Sequence, residues 1–110
     1  MAWRMNINRI RRLLIQERVT LRFTDHAIIE ARKDGLTVED LEDNSINGEL
    51  VEDYGIRALF LNFIKDDELP CHVVLEYVPG SEEVVCVTAY VPNAEEWEPN
   101  WKKRKRKKRR

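Results

Sequence analysis

The sequence predicts an α+β domain in which helices come first and then cover one face of a four-stranded antiparallel β-meander. Three observations predict it. Apolar residues recur at helical spacing before Gly48, they alternate after it, and turn-forming residues separate the alternating runs. A chain of 110 residues, 43% of them hydrophobic, is the size of one domain with one core. The expected organisation is a folded domain over residues 1–101 and a disordered basic tail over 102–110.

Each element has its own signal. Ile10, Leu13 and Leu14 form a stripe from which Arg9, Arg11 and Arg12 mostly diverge, which predicts an amphipathic helix over 6–17. Residues 20–23 alternate and form a short strand. Thr24 or Asp25 caps a second helix over 25–34, which Gly35 stops. Thr37-Val-Glu-Asp40 is a capping box with Asp in place of Glu, starting a third helix that ends at Gly48. Four strands follow, over 50–54, 57–64, 72–78 and 83–91. The links 66–70 and Pro79-Gly80-Ser81 carry turn chemistry, so consecutive strands pair antiparallel, and Trp97 anchors the segment after the last strand.

A net charge of −1 conceals strong segregation. Residues 1–33 carry eight Lys/Arg against three Asp/Glu, residues 34–101 carry two against seventeen, and residues 102–110 are nine basic residues in a row. That pattern is informative about partners rather than fold. No apolar run approaches the roughly 20 residues that a bilayer requires, and the first residues lack the order of a secretory signal, so a soluble, cytoplasmic protein is expected. Cys71 and Cys86 lack the paired spacing of a zinc site; no metal or other cofactor is expected.

Alternation assigns side chains to faces. Val73 and Leu75, with Val85, Val87 and Ala89, are expected under the helices, and His72, Glu76, Thr88 and Tyr90 on the open face. Cys71 and Cys86 then fall on opposite faces. His72 and Tyr90 are the candidate catalytic pair of the sheet, because an imidazole can take a proton from a ribose 2′-hydroxyl and a phenol can bind the phosphate. The competing reading is a half-buried His72 bonded to Glu76 or backbone, and spacing alone favours it. His26, in the first turn of the second helix, is the third candidate; it either meets phosphate there or helps to cap the helix. Glu30, one turn further on, is in a position to orient its ring. Arg57, Arg32, Lys102, Lys103, Arg104, Lys105 and Arg106 are the candidate phosphate-binding cations. For the tail the alternatives are a solvated segment and one folded back on the acidic body.

Read in order, several segments resemble one family. Thr24-Asp-His-Ala27, Ala31-Arg-Lys-Asp-Gly-Leu36, Asn47-Gly-Glu-Leu-Val-Glu-Asp-Tyr54, Pro70-Cys-His-Val-Val74 and Val87-Thr-Ala-Tyr-Val-Pro92 with Trp97 are similar to the domain-of-unknown-function 4258 family. His26, Gly35, Gly48, Glu49, Glu52, Tyr54, His72, Thr88, Tyr90 and Pro92 fall on its motif positions. The chain departs from the pattern at Glu30 and Asp34, where many members carry arginine, and at Cys71, where many carry an aliphatic residue. The resemblance implies kinship with RelE-type and BrnT-type toxins, a RelE-like fold, and a YgiT-type zinc-finger antitoxin-like partner. It implies the toxin of a type II toxin–antitoxin pair acting as a metal-independent messenger-RNA endonuclease. The alternative is a non-catalytic module that binds the zinc-finger partner, consistent with only Arg57 and Lys65 as strand-region cations.

Overall fold

Side-chain caps start all three helices of the computed structural model, which describes residues 6–66 and 68–106. Asn6 accepts the Arg9 N–H at the start of α1 (Ile7–Ile15). Thr24 accepts the Ala27 N–H at the start of α2 (Asp25–Lys33), and Thr37 and Asp40 form the expected reciprocal box at α3 (Val38–Asn47). At the end of α2 the chain turns through Gly35 at φ +75°, and the Leu36 N–H donates back to the Ala31 carbonyl at 2.9 Å. No helix among the described residues is long and apolar enough to cross a membrane.

The strands are β1 (Thr20–Phe23), β2 (Glu49–Asp53), β3 (Arg57–Ile64), β4 (Leu69–Glu76) and β5 (Glu83–Tyr90), in the spatial order β1-β5-β4-β3-β2. The last four pair antiparallel in sequence order, but the expected four-stranded meander is incomplete. The short strand before α2 joins the sheet parallel to β5, making it five-stranded and mixed. The Thr20 N–H donates to the Glu82 carbonyl at 3.0 Å, and Arg22 pairs with Glu83 at 3.2 Å. A four-residue run can be read as extended from its alternation, but its partner lies some sixty positions away and leaves no local signal.

One core cluster joins Ile10, Ala27, Ala31 and Leu41 from the helices to Ala58, Phe60, Val73, Leu75, Cys86 and Ala89 from the sheet. Cys71 belongs to the same cluster and both thiols are free, which corrects their assignment to opposite faces. The cause is a β-bulge. Tyr90 pairs with His72 and Thr88 with Val74, but the next pair is Cys86 with Leu75, leaving Val87 as the extra residue. Parity therefore inverts along β5, and Val84 and Cys86 take the core positions expected for Val85 and Val87. A second bulge, in β2, pairs Glu49 with Leu61 and Glu52 with Leu59, so two glutamates three residues apart share a face.

After β5 the chain does not become a free tail at residue 102. Trp97 bridges to Arg104, the Glu98 N–H donates to the Lys103 carbonyl at 2.8 Å, and the Lys105 N–H donates to the Glu96 carbonyl at 2.9 Å. Over Lys102–Arg106 the disordered tail is thus corrected to a folded-back turn, because Glu49 and Glu52 supply counter-charges on the sheet. Residues 107–110, the rest of the expected tail, lie outside the described residues.

Gly48 has no room for a side chain where α3 passes into β2. A Cβ there would sit 2.6 Å from the Asn44 carbonyl oxygen and collide with the Asn44 side chain, whereas one at Gly80 meets nothing within 4 Å. Urea unfolding of Gly48→Ala is expected to show a loss of about 2 kcal/mol or more, and of Gly80→Ala about 1 kcal/mol from its positive φ alone. Equal losses would contradict this reading of the α3–β2 junction.

Candidate functional site

Cross-strand pairing sets His72 directly opposite Tyr90, and their side chains lie on the same face: His72 Nδ1 is 3.3 Å from the Tyr90 hydroxyl. This face is not open. His72 is 0% exposed, with the Trp97 ring edge-on at 4.5 Å and the Tyr90 ring edge-on at 5.3 Å. Its Nε2 lies 2.8 Å from the Trp101 carbonyl oxygen. A carbonyl only accepts, so Nε2 carries the proton and Nδ1 is left to accept from the Tyr90 O–H. Burial holds the His72 pKa below the ordinary histidine value, and only partly opposed by the Trp101 carbonyl. Burial likewise pushes the Tyr90 phenol up to about 12. Both are neutral and hydrogen-bonded; His72 is sealed from solvent and Tyr90 is half-buried.

The cover belongs to the C-terminal turn. Trp97 is 2% exposed, and the Arg104 guanidinium lies 4.6 Å over its ring. Arg104 also bonds both oxygens of Glu52, at 3.0 and 3.1 Å, and Lys102 pairs with Glu49 at 2.7 Å. Burial alone would raise the Glu52 carboxyl, but its bonds from Arg104 and Tyr54 outweigh that and hold it below the usual carboxylate range. Beneath the turn Leu59 and Leu61 are 1% and 3% exposed, so this face carries a small core of its own.

Beside the cover lies an open depression of about 650 Å³, lined by Thr24, His26, Tyr54, Arg57, Val74, Val87 and Thr88. Four elements meet there. Thr24 caps α2, its hydroxyl donating to the Val87 carbonyl at 3.2 Å, and this tie brings the first turn of α2 with the exposed His26 against β5. Arg57 reaches the rim from β3, where it pairs with Glu76 at 2.8 Å. Tyr54, just past β2, hydrogen-bonds Glu52 and so links the depression to the covered cluster.

The sequence candidates thus separate. His26 and Arg57 share the open depression, His72 and Tyr90 lie under the turn, and Lys102 and Arg104 are part of the cover. Lys103, Lys105 and Arg106 are exposed on the same segment. Arg32 lines a different groove with Leu36 and Thr37, and Glu30 accepts from Lys33 at 3.0 Å rather than orienting His26. Tyr54, Glu52 and Trp101 were not among the candidates. Glu52 and Tyr54 are two apart on an extended segment, which signals a shared face; nothing in the sequence signals that the Trp101 carbonyl reaches His72. Among the described residues no three His, Cys, Asp or Glu side chains converge as a metal site would require.

The depressed pKa of His72 has a consequence for stability. Below about pH 6.5 the unfolded chain takes up a proton at this position that the folded chain refuses, so stability falls as the pH drops toward the folded-state value. His72→Gln keeps a neutral donor and acceptor and removes that proton. The expected result is a larger fall in urea midpoint between about pH 7 and pH 5 for the parent than for the variant. Parallel pH profiles would contradict a buried neutral imidazole.

No curated protein and no solved structure matches the chain. The sequence profile of the family described as Domain of unknown function (DUF4258) matches residues 23–97, a span that includes α2, α3, β2 to β5, His26, Tyr54, Arg57, His72, Tyr90 and Trp97. With more than half of its length matched, the chain belongs to that family.

Proposed function

We propose that the chain is a metal-independent RNA endonuclease, the toxin of a type II toxin–antitoxin pair of the RelE and BrnT kind, with the open depression as its site. The observation that carries this reading is the convergence of His26, Tyr54, Arg57 and Thr88 from separate elements on one concavity beside a basic segment. An accessible imidazole, a guanidinium, a phenol and a hydroxyl are the groups that phosphodiester cleavage without a metal needs.

In this reading His26 takes the proton of a ribose 2′-hydroxyl, and the freed oxygen attacks the adjacent phosphorus. The bond from phosphorus to the 5′-oxygen breaks, leaving a 2′,3′-cyclic phosphate. Tyr54, turning its O–H from Glu52 to the departing 5′-oxygen, protonates it; His26 then gives the proton it took to solvent, and Tyr54 takes one back. Arg57, released from Glu76, and the Thr88 hydroxyl bind the non-bridging oxygens as their charge grows. Lys102, Lys103, Arg104, Lys105 and Arg106 supply general affinity for the backbone. The proposed partner is a zinc-finger antitoxin-like protein that masks this surface.

A second reading has one observation in its favour. Arg57, the cation that lines the depression, and Arg104, which shares Glu52 with Tyr54, are each already paired with a carboxylate, as suits a module that binds a protein and cuts nothing.

Incubating the purified full chain with single-stranded RNA in excess chelator separates the two. Cleavage is expected to slow by about 100-fold or more in His26→Ala, as for loss of a general base, and to be unchanged in Arg32→Ala, which lies on another groove. RNA left intact by the parent chain, or cut equally fast by His26→Ala, would exclude the nuclease reading.

A further inference from the structure

The turn that covers His72 has an inner and an outer leg with different attachments. On the inner leg Trp97 is buried between His72 and the Arg104 guanidinium. The outer leg, from Trp101 to Arg106, is held by the bond from His72 to the Trp101 carbonyl, the pairs Lys102–Glu49 and Arg104–Glu52, and backbone bonds to Glu96 and Glu98. Both ion pairs have solvent-exposed cations, with side-chain exposures of 46% for Lys102 and 55% for Arg104. Such pairs are screened by salt and exchange readily for other anions. Trp101 also sits at φ +63°, a left-handed conformation that is strained for a bulky residue and persists only while its contacts hold it.

We propose that the outer leg is a displaceable cover: single-stranded RNA draws Lys102 and Arg104 from Glu49 and Glu52 onto its phosphates and exposes His72 and Tyr90 at the edge of the depression. The inference rests on the RNA reading and adds its regulation. The same cations serve two exclusive anionic surfaces, the chain's own carboxylates and the phosphate backbone, so the acidic strand competes with the ligand. Lifting the leg frees the Nε2–H of His72 from its carbonyl and releases Glu52 from Arg104, leaving the Tyr54 hydroxyl as the partner of that carboxylate. Trp97 stays docked, so the movement is confined to one turn.

The test uses the full chain and a 2′-O-methyl oligonucleotide, which binds but lacks the hydroxyl that cleavage consumes. The double variant Glu49→Gln/Glu52→Gln removes the internal competitor, and Glu39→Gln/Glu42→Gln on α3 makes the same change of charge elsewhere. The first is expected to tighten binding by about tenfold or more, beyond the weaker gain from net charge in the second. Without RNA, it is also expected to speed hydrogen exchange at the Trp101 and Lys105 amides while β3 and β4 stay protected. Equal tightening in the two variants, unchanged exchange at those amides, or no binding by any of the proteins would overturn the inference. Competition at Glu49 and Glu52 in a protein that cuts no RNA would refute the nuclease reading and leave the cover intact.

Discussion

One imidazole connects the two layers on this side of the sheet. His72 stands at the centre of β4 with no solvent contact, gives its only ring proton to the Trp101 carbonyl, and turns its bare nitrogen to Tyr90. A buried ring with either nitrogen unpaired would be costly, so the residues that satisfy it are fixed with it. The strained backbone of Trp101, the edge-on Trp97 and the position of the first basic residues all follow from that requirement. The main core on the other face, built from Phe60, Val73, Leu75 and Leu41, is a separate problem of apolar packing.

Charge segregation takes on structural meaning in this light. The acidic middle of the chain and its basic end are the two sides of one intramolecular contact, with Lys102 on Glu49 and Arg104 on Glu52. The β2 bulge is what makes the contact possible, since regular pleating would send two glutamates three residues apart to opposite faces. Exposed ion pairs contribute little stability individually, on the order of 1 kcal/mol or less each, and are correspondingly easy to exchange. An attachment of this strength suits a segment whose cations also serve an anionic ligand.

Much of the fold was legible from residue order. The capping residues Thr24 and Thr37, the stop at Gly35 and the change of period at Gly48 set helix limits to within a few residues. The antiparallel succession of the last four strands followed from their turns, and the placement of His72 with Tyr90 followed from alternation. What escaped depends on distant or irregular geometry. Thr20–Phe23 finds its partner β5 across most of the chain, and each bulge adds one residue that a strict period of two cannot register. The candidate site was legible as a set of residue types but not as a place. His26 and Arg57 meet Tyr54 in the open depression, while His72 is sealed by a backbone carbonyl, a group that carries no sequence signature.

The protonation state of the His72 ring is the most direct check, because the tautomer encodes the contact that secures the cover. A long-range proton–nitrogen correlation spectrum of the full chain near neutral pH distinguishes its two ring nitrogens. A neutral ring protonated on Nε2, with a proton that exchanges slowly with water, is the predicted result. A ring protonated on Nδ1, a charged ring, or an Nε2 proton exchanging as fast as that of the exposed His26 would contradict the account.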